Sequence, residues 1–362
     1  MKEFLGDMEK TASGGLAGRV LGLYRKGRAK LVSARYGNPA STVRVIVVVG
    51  EYGKTSTTQL LLAILKETGR VVVTYVPGSE DVVSDLQRQL KDAKRNAAEF
   101  FIVEVTPELM GSGGLMALGI DTVIATSKSP EADELLAGDL NYAVIPDTYQ
   151  AGLLEIADHQ VITYGEQETA EARINKLTLY RKGTEVDLTI DHHTSLTAAT
   201  HLVGKANAYN LTAAIASAYV LGIPFNTVEE GAAAVEAVED NYEYLKGDRP
   251  YSVVVDKAST DVSIKMVVDS AAELSKRRLL VALEAAKCDD ATIRYVKKVA
   301  DRLVLVLADE RALPGAEVVA SPEEAWRIVG RAAKLDDTVL LIGKEFASQK
   351  DQLGILGEKE NQ

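Results

Sequence analysis

The sequence predicts an α/β fold: a mainly parallel sheet with added antiparallel strands, followed by a second, smaller α/β domain. Three observations support this prediction. Apolar, β-branched runs alternate with segments of helical spacing from residue 43 onward. Residues 174–190 instead alternate apolar and polar side chains, as a strand exposed on one face does. A separate series of apolar runs and helical segments begins near residue 248.

The first series of elements has the pattern of a parallel sheet covered on both faces. The predicted strands are RVIVVVG, RVVVTYV, EFFIVEV and IDTVIATS, and the predicted helices lie near 55–67 and 80–98. Val- and Ile-rich runs without regular alternation indicate strands that are buried on both sides. The helices between them would provide the crossovers that parallel strands require.

Later segments of this series predict strands of a different kind. The run HQVITYG (159–165) precedes INKLTLYRKGTEVDLTI (174–190), in which Lys182 and Gly183 mark a turn. Alternation on both sides of such a turn is typical of an antiparallel hairpin. An Ala-rich helix is predicted over 205–221, because a glycine and then a proline follow it.

The second series has sheet-forming runs of its own. Its predicted strands are YSVVVD, RRLLVALEA, DRLVLVLAD, AEVVAS and DTVLLIG, with helices near 261–275 and 290–301. A charged stretch separates the two series. We therefore predict four parts, which are a basic, partly helical leader (1–40), a central domain (41–225), a linker (226–248) and a C-terminal α/β domain (249–362).

Composition limits the class of protein. The 362 residues are 46% hydrophobic and 26% charged, with a net charge of -11, which is ordinary for a soluble globular protein. No run reaches the roughly 20 apolar residues of a transmembrane helix. The single cysteine, Cys288, excludes an internal disulfide framework and a thiolate zinc cluster. We expect a cytoplasmic protein without a nucleic-acid partner, since nucleic acid requires a basic surface.

The first 40 residues depart from this acidic balance. They carry eight Lys or Arg and three acidic residues, and the basic residues concentrate in 19–35. Such a segment suits an anionic membrane surface or a phosphorylated ligand. The alternative is a solvated, partly helical leader that packs on the next domain.

The junction between the first strand and the first helix carries the main functional signal, GEYGKTS. Its candidate nucleotide-binding residues are Gly50, Gly53, Lys54, Thr55 and Ser56. Glycines let backbone N–H groups face an anion, and the helix N-terminus adds a favourable dipole. Lys54 would reach the outer phosphates of a nucleotide, and the Thr55 hydroxyl would ligate Mg²⁺. The junction predicts a P-loop-type sheet with a nucleotide site at its edge.

The spacing of this loop is unusual. The general G-x-x-x-x-G-K-[ST] pattern would place a glycine at Val48, so kinases and GTPases of that type fit poorly. The shorter form G-x-x-G-K-[TS]-[ST] resembles the Mur ligase family and, more distantly, folylpolyglutamate synthetase. The resemblance implies an ATP-dependent amide ligase that activates a carboxylate as an acyl phosphate. ATP and Mg²⁺ would be its cofactors, and its unidentified carboxylate and amine substrates would belong to peptidoglycan metabolism.

Two further segments resemble motifs of the same family. FFIVEV is similar to the strand whose glutamate ligates Mg²⁺, which implies that Glu104 is a metal ligand beside Thr55 and a catalytic group beside Lys54. GKANAYNLTAA resembles the helix whose asparagines lie near adenine. That resemblance implies an adenine contact for Asn207 and Asn210.

The predicted C-terminal domain begins with a third segment that resembles a motif of the same family. YSVVVDKAST resembles the start of the family's last domain, and the match implies that Asp256 contacts the ribose and phosphate region of ATP. The resemblance extends over about residues 43 to 350.

Several chemical groups of the family are missing. Ala132 occupies the position of a metal-binding histidine, and the segment of a carbamylated lysine is shortened. Asp240 and Asn241 replace an arginine near the domain junction, and Ser259 replaces a further histidine. Each lost electrostatic contact of this kind costs about 10²- to 10³-fold in rate.

Three hypotheses follow from these matches and departures. The first is a divergent amide ligase of the Mur type. The second is a Mur-like protein that binds ATP, has lost ligase activity and acts as a scaffold or regulator. The third, an unrelated P-loop phosphotransferase, is disfavoured by the spacing at Val48 and by the later matching segments.

Overall fold

A computed structural model describes residues 16–149, 160–245, 248–307, 316–350 and 352. The described chain contains one large and one smaller sheet, both covered by helices. The large sheet is mostly parallel with antiparallel strands at one end, which confirms the predicted fold class. No described helix has both the length and the apolar character needed to span a membrane.

The first sheet is built from nine of the described strands in the order β2-β3-β1-β4-β5-β6-β7-β8-β9. The strands are β1 (Arg44–Val49), β2 (Val72–Thr74), β3 (Phe100–Glu104), β4 (Ile120–Ala125), β5 (Tyr142–Pro146), β6 (Gln160–Gly165), β7 (Ala172–Tyr180), β8 (Gly183–Ile190) and β9 (Thr194–Thr200). The helices that accompany this sheet are α1 (Leu16–Arg35), α2 (Lys54–Glu67), α3 (Val82–Arg95), α4 (Pro107–Ser112), α5 (Pro130–Leu136), α6 (Lys205–Val220) and α7 (Phe225–Ala233). Short 3₁₀ segments occur at Pro39–Ser41 and Gly114–Ala117.

Strand β1 shows why the predicted strands lack alternation. Ile46 and Val48 pack into the core on one face of the sheet, and Val45 and Val47 pack into a second core on the other face. Successive side chains of a strand point to opposite faces, so a strand covered on both sides needs apolar residues at every position. Because β1 lies between β3 and β4, its carboxyl end and the loop that follows lie beside the carboxyl ends of both neighbouring strands.

The antiparallel end of the sheet also agrees with the sequence pattern. Strands β7 and β8 pair from Ala172–Ile190 to Tyr180–Gly183, and burial alternates along β8. The tight turn between them lies at Arg181 and Lys182, one residue before the predicted position. The predicted hairpin is therefore present.

The second sheet has the strand order β10-β11-β15-β12-β13-β14. Its strands are β10 (Glu243–Tyr244), β11 (Ser252–Asp256), β12 (Leu279–Glu284), β13 (Arg302–Val306), β14 (Glu317–Val319) and β15 (Thr338–Ile342). Its helices are α8 (Asp261–Leu274), α9 (Asp290–Val299), α10 (Pro322–Ala332) and α11 (Lys344–Ser348). All strand pairs are parallel except β10 with β11.

The stretch predicted as a linker, 226–248, holds regular structure instead. Helix α7 packs closely on α2, since a Cβ at Gly231 would lie 2.4 Å from the Ile64 Cα. Strand β10 pairs with β11 and belongs to the second sheet. Residues 234–242 connect helix α7 to strand β10 without a helix or strand of their own. The high charge of the stretch suggested an exposed linker, although Val228 and Gly231 are buried.

Helix α1 packs against the 3₁₀ segment Gly114–Ala117 and α3. A Cβ at Gly113 would lie 2.8 Å from the Cβ of Arg25. Ala29 and Ser33 are buried on the side of the helix that faces the domain.

Candidate functional site

The loop after β1 depends on glycine at two positions. Gly50 has φ +138°, and a Cβ there would lie 2.3 Å from the Thr126 hydroxyl oxygen. Gly53 has φ +77°, and a Cβ there would lie 2.2 Å from the Asn210 side-chain oxygen. Both conformations are unfavourable for residues with a side chain. The backbone of the loop is thus held close to two neighbouring elements.

The end of β4 supports the loop from one side. The Thr126 hydroxyl donates a hydrogen bond to the Tyr52 carbonyl at 2.5 Å, and the Glu51 N–H donates to the Ser127 hydroxyl at 2.8 Å. Sequence reasoning missed both supporting residues. Their position directly after a buried strand was the available signal, because the carboxyl ends of neighbouring parallel strands meet at one edge.

Lys54 is the first residue of α2 and folds back over the loop. Its Nζ donates to the Gly50 carbonyl oxygen at 2.5 Å. Burial lowers the pKa of the Lys54 ammonium, and the carboxylates of Glu104, Glu131 and Glu51 oppose that shift. An ammonium group so placed beside the N–H groups of a helix N-terminus suits an anionic ligand.

Thr55 and Glu104 form the candidate metal site. The Thr55 hydroxyl donates to a Glu104 carboxylate oxygen at 3.0 Å, across the contact between α2 and the end of β3. Hydroxyl and carboxylate oxygens are donors that Mg²⁺ prefers, and Mg²⁺ commonly takes its other ligands from water and phosphate. The donor set therefore fits Mg²⁺ bound with a nucleotide. Among the described residues there is no group of three or more His, Cys, Asp or Glu arranged to hold a metal.

Asn207 and Asn210 lie in the first turns of α6 and are buried. The Asn207 side chain donates to the Val203 carbonyl at 2.9 Å, and the Asn210 side chain donates to Asn207 at 3.0 Å. The oxygen of Asn210 faces Gly53. The pair braces the loop from the side opposite β4, while its contact with adenine stays a prediction.

Asp256, at the end of β11, is 7% exposed. It accepts hydrogen bonds from the N–H groups of Tyr242 at 2.8 Å and Ala258 at 2.7 Å. Burial raises the pKa of Asp256 to about 6, against these bonds and the charge of Lys257. Its contact with ribose stays a prediction as well.

A cavity of about 230 Å³ brings these groups together at the boundary of the two sheets. It is lined by the loop residues 51–56, both asparagines, Asp256 and the apolar side chains of Met266 and Val267. Lys344, at the start of α11, also lines it. Lys344 was not among the site residues predicted from the sequence. All predicted site residues therefore lie at or beside one cavity.

A second cavity of about 570 Å³ lies on the other side of the loop. Glu51 and Lys54 line both cavities. The second cavity also contacts Thr106, Glu131 and Asp261. The loop thus stands between two spaces, one lined by the asparagines and one lined by α4, α5 and the start of α8.

Three positions at which the sequence lacks a group implied by the resemblance have a defined place in the structure. Ala132 is fully buried inside the domain, so this position is part of the core. Asp240 accepts a hydrogen bond from the Lys350 ammonium at 2.9 Å. Ser259 lines the cavity that Asp256 lines.

The fold and the site define a class: a two-sheet α/β protein with a short phosphate-loop-type turn at the boundary between its sheets. Residues 48–143 and 132–218 match the Mur ligase middle domain. Residues 48–218 are thus similar to the middle domain of the Mur ligases.

Known proteins agree with this relationship at low identity. The chain is 26% identical over 306 residues to UDP-N-acetylmuramoyl-L-alanyl-D-glutamate--2,6-diaminopimelate ligase of Halalkalibacterium halodurans, with 75% of this chain and 63% of that protein covered. It therefore spans less than two thirds of that relative.

Solved structures show the same fold. MurF ligase from Thermotoga maritima, in complex with ADP, superposes with a TM-score of 0.72 at 14% identity, covering 92% of this chain and 84% of that one. Mycobacterium tuberculosis folylpolyglutamate synthase complexed with ADP gives 0.71 at 16% identity, covering 91% and 94%.

Proposed function

We propose that the protein is a divergent ATP-dependent amide ligase of the Mur type that acts through an acyl phosphate. The observation that carries the proposal is the paired geometry at the start of α2. The Lys54 ammonium donates a hydrogen bond to the Gly50 carbonyl oxygen, and the Thr55 hydroxyl donates one to the Glu104 carboxylate beside the same loop. Both pairs adjoin the cavity that Asp256 and the asparagines line.

Each residue of the site has a separate proposed role. Thr55 and Glu104 would hold Mg²⁺, which neutralises phosphate charge. Lys54 would leave the Gly50 carbonyl to pair with the outer phosphates. Asn207, Asn210 and Asp256 would contact the nucleoside. The loop N–H groups would hold the phosphates in line with the attacking carboxylate.

The proposed reaction has two steps. A substrate carboxylate oxygen attacks the γ-phosphorus of ATP, which forms the acyl phosphate and releases ADP. The amine nitrogen then attacks the acyl carbon, which forms the amide, loses a proton and releases phosphate. The second cavity, lined by Lys54 and Glu131, adjoins the phosphate side of the loop and provides space for this substrate pair.

A second candidate function is an ATP-binding scaffold or regulator without ligase activity. The observation in its favour is Ala132, which is buried in the core where the family has a metal-binding histidine. With fewer charges to neutralise the approach of two anions, the acyl-phosphate step would be slow.

Phosphate release by the purified chain separates the two functions. The amine substrate offered is 2,6-diaminopimelate and the carboxylate substrate is UDP-N-acetylmuramoyl-L-alanyl-D-glutamate, as the name of the relative suggests. Lysine is offered as a second diamine. The ligase predicts phosphate release that requires both substrates, together with a new amide detected by mass spectrometry. ATP binding without release under any pairing favours the scaffold. The Lys54→Met variant is the control for contaminating ATPase.

A further inference from the structure

One face of α1 carries apolar side chains that point away from the protein. Leu23 is 71% exposed, Leu31 is 76% exposed and Tyr24 is 47% exposed. The opposite side of the helix is already packed, since Ala29 and Ser33 are buried against the domain. Within the described part of the chain, docking of α1 on its own domain therefore leaves these large apolar groups exposed.

The exposed residues form a continuous stripe. At about 100° per residue, Leu23, Gly27, Leu31 and Tyr24 fall within an arc of about 100° on the helix surface. Lys30 flanks the stripe on one side, and Arg35 flanks it on the other. All of these residues are exposed. We call this surface the outer face of α1.

All charged residues of helix α1 are basic. Residues 16–35 contain six Lys or Arg and no acidic residue, although the chain has a net charge of -11. Arg28 forms an ion pair with Asp81 at 2.9 Å. The adjacent helix α3 adds the exposed Lys94, and Lys91 lies 5.7 Å above the ring of Tyr36. The apolar stripe is thus flanked by the exposed cations Lys30 and Arg35, on a helix without acidic residues in an acidic protein.

We propose that the outer face of α1 binds the surface of an anionic lipid bilayer. An apolar stripe between cationic flanks places leucines at the acyl boundary and ammonium or guanidinium groups at the lipid phosphates. A nucleic acid would use the cations and leave the leucines exposed to water. A second copy of the helix would bring Lys30 and Arg35 close to identical charges. An anionic lipid surface would contact both the apolar side chains and the cationic side chains that flank them.

Repulsion between the acidic remainder of the protein and the anionic lipid would orient the protein on the membrane. Anionic lipid attracts each basic residue near its surface by about 1 kcal/mol, which is about fivefold in binding. The rest of the chain is repelled by the same surface. The helix would therefore lie along the membrane plane, with the remainder of the protein directed away from it.

Flotation of the full chain with vesicles tests the proposal. Vesicles of phosphatidylcholine with phosphatidylglycerol are compared with vesicles of phosphatidylcholine alone. We expect binding to the anionic vesicles only, and a decrease with added salt. The double variant Leu23→Ser with Leu31→Ser should lower binding at least about tenfold. Lys30→Gln with Arg35→Gln should lower it about tenfold or more.

Matched controls come from exposed residues far from α1 in the sequence. Leu335 is 62% exposed, and Leu335→Ser should leave vesicle binding unchanged, as should Lys182→Gln. The thermal midpoint of each α1 variant should equal that of the wild type, because the altered side chains lie in solvent. This measurement separates lost binding from lost folding.

Three results would overturn the proposal. The first is equal binding of the wild type and the leucine double variant to anionic vesicles. The second is no binding of the wild type to either kind of vesicle. The third is a wild-type dimer in light scattering that the leucine double variant converts to a monomer, which would assign the outer face to a protein contact. ATP affinity is measured in parallel, so that failure here is distinct from failure of the proposed function.

Discussion

Asp256 is a buried carboxylate that joins two parts of the second sheet. Its two oxygens accept the N–H groups of Tyr242 and Ala258, so it fixes both the approach to β10 and the turn after β11. Burial raises its pKa from 3.8 to about 6. A carboxyl group with a raised pKa in the folded state stabilises the protein fully below about pH 4, and this contribution is lost as the pH rises through about 6.

Asp256→Asn is therefore expected to flatten the dependence of stability on pH. Between about pH 4 and pH 7 the wild type should lose about 2 kcal/mol more unfolding free energy than the variant does. Urea unfolding at several pH values measures this difference. Asp139→Asn, at an exposed carboxylate, is the control and should follow the wild type. Parallel profiles for Asp256→Asn and the wild type would contradict the assigned pKa.

Glu51 places a negative charge at the loop that we propose for phosphate binding. Its side chain is exposed, and it lines both cavities beside Lys54. Glu51→Gln should raise the affinity for Mg²⁺-ATP about threefold at low salt, and less at high salt, because a like charge is removed. Calorimetry measures the affinity, and Glu67→Gln at the other end of α2 is the control. Weaker binding by Glu51→Gln would instead make Glu51 a ligand of the bound metal.

At the scale of elements, Lys350 attaches the end of the second domain to the segment between the sheets. Its ammonium contacts Glu239 at 3.2 Å, Asp240 at 2.9 Å and Glu243 at 3.0 Å. Burial lowers the pKa of Lys350, but its hydrogen bonds to these carboxylates outweigh that effect and raise it. The segment from Glu239 to β10 is therefore attached to the second sheet, whereas Val235 and Val238 just before it are buried in the core of the first sheet.

Lys350→Met should destabilise this attachment. The side chain of Lys350 is 14% exposed, and its loss leaves three carboxylates near one another without their cation. We expect a loss of about 2 kcal/mol, less than for a fully buried pair because the carboxylates are partly exposed. Thermal unfolding measures the change, and proteolysis near 234–245 should become faster.

Lys276→Met is the matched control for that prediction. Lys276 pairs with Asp336 at 3.7 Å, and both side chains are largely exposed. Removal of such a pair changes stability by about 0.5 kcal/mol or less. Equal losses for the two lysine variants would show that Lys350 does not hold the segment.

The sequence predicted elements whose signal is local. Strand β1, helix α2 and the hairpin of β7 and β8 follow from periodicity and from the glycines at their ends. The contact of Ser127 with Glu51 joins residues 76 positions apart and depends on β4 lying beside β1. Strand order is not encoded in local periodicity, so this part of the site was missed. Helix α7 was missed because its charged residues suggested a linker.

At the scale of the whole molecule, the candidate site needs both sheets. The phosphate-loop side comes from β1 and α2, and the facing wall comes from Asp256 and α8. A nucleotide held by both walls would link the two domains across the connection 234–242. Mg²⁺-ATP should therefore slow proteolysis of this connection in the wild type. An unchanged cleavage rate at saturating nucleotide would place the nucleotide on the first domain alone.

The affinity of Lys54→Met for Mg²⁺-ATP, measured by calorimetry, tests most directly whether the loop after β1 binds the phosphates of a nucleotide. Lys66→Met is the control, since Lys66 is an exposed lysine at the far end of the same helix. We expect a loss of about thirtyfold or more for Lys54→Met, as for a lost hydrogen bond between charged groups, and no change for Lys66→Met. Equal affinity of Lys54→Met and the wild type would contradict the assignment of this loop as the phosphate site.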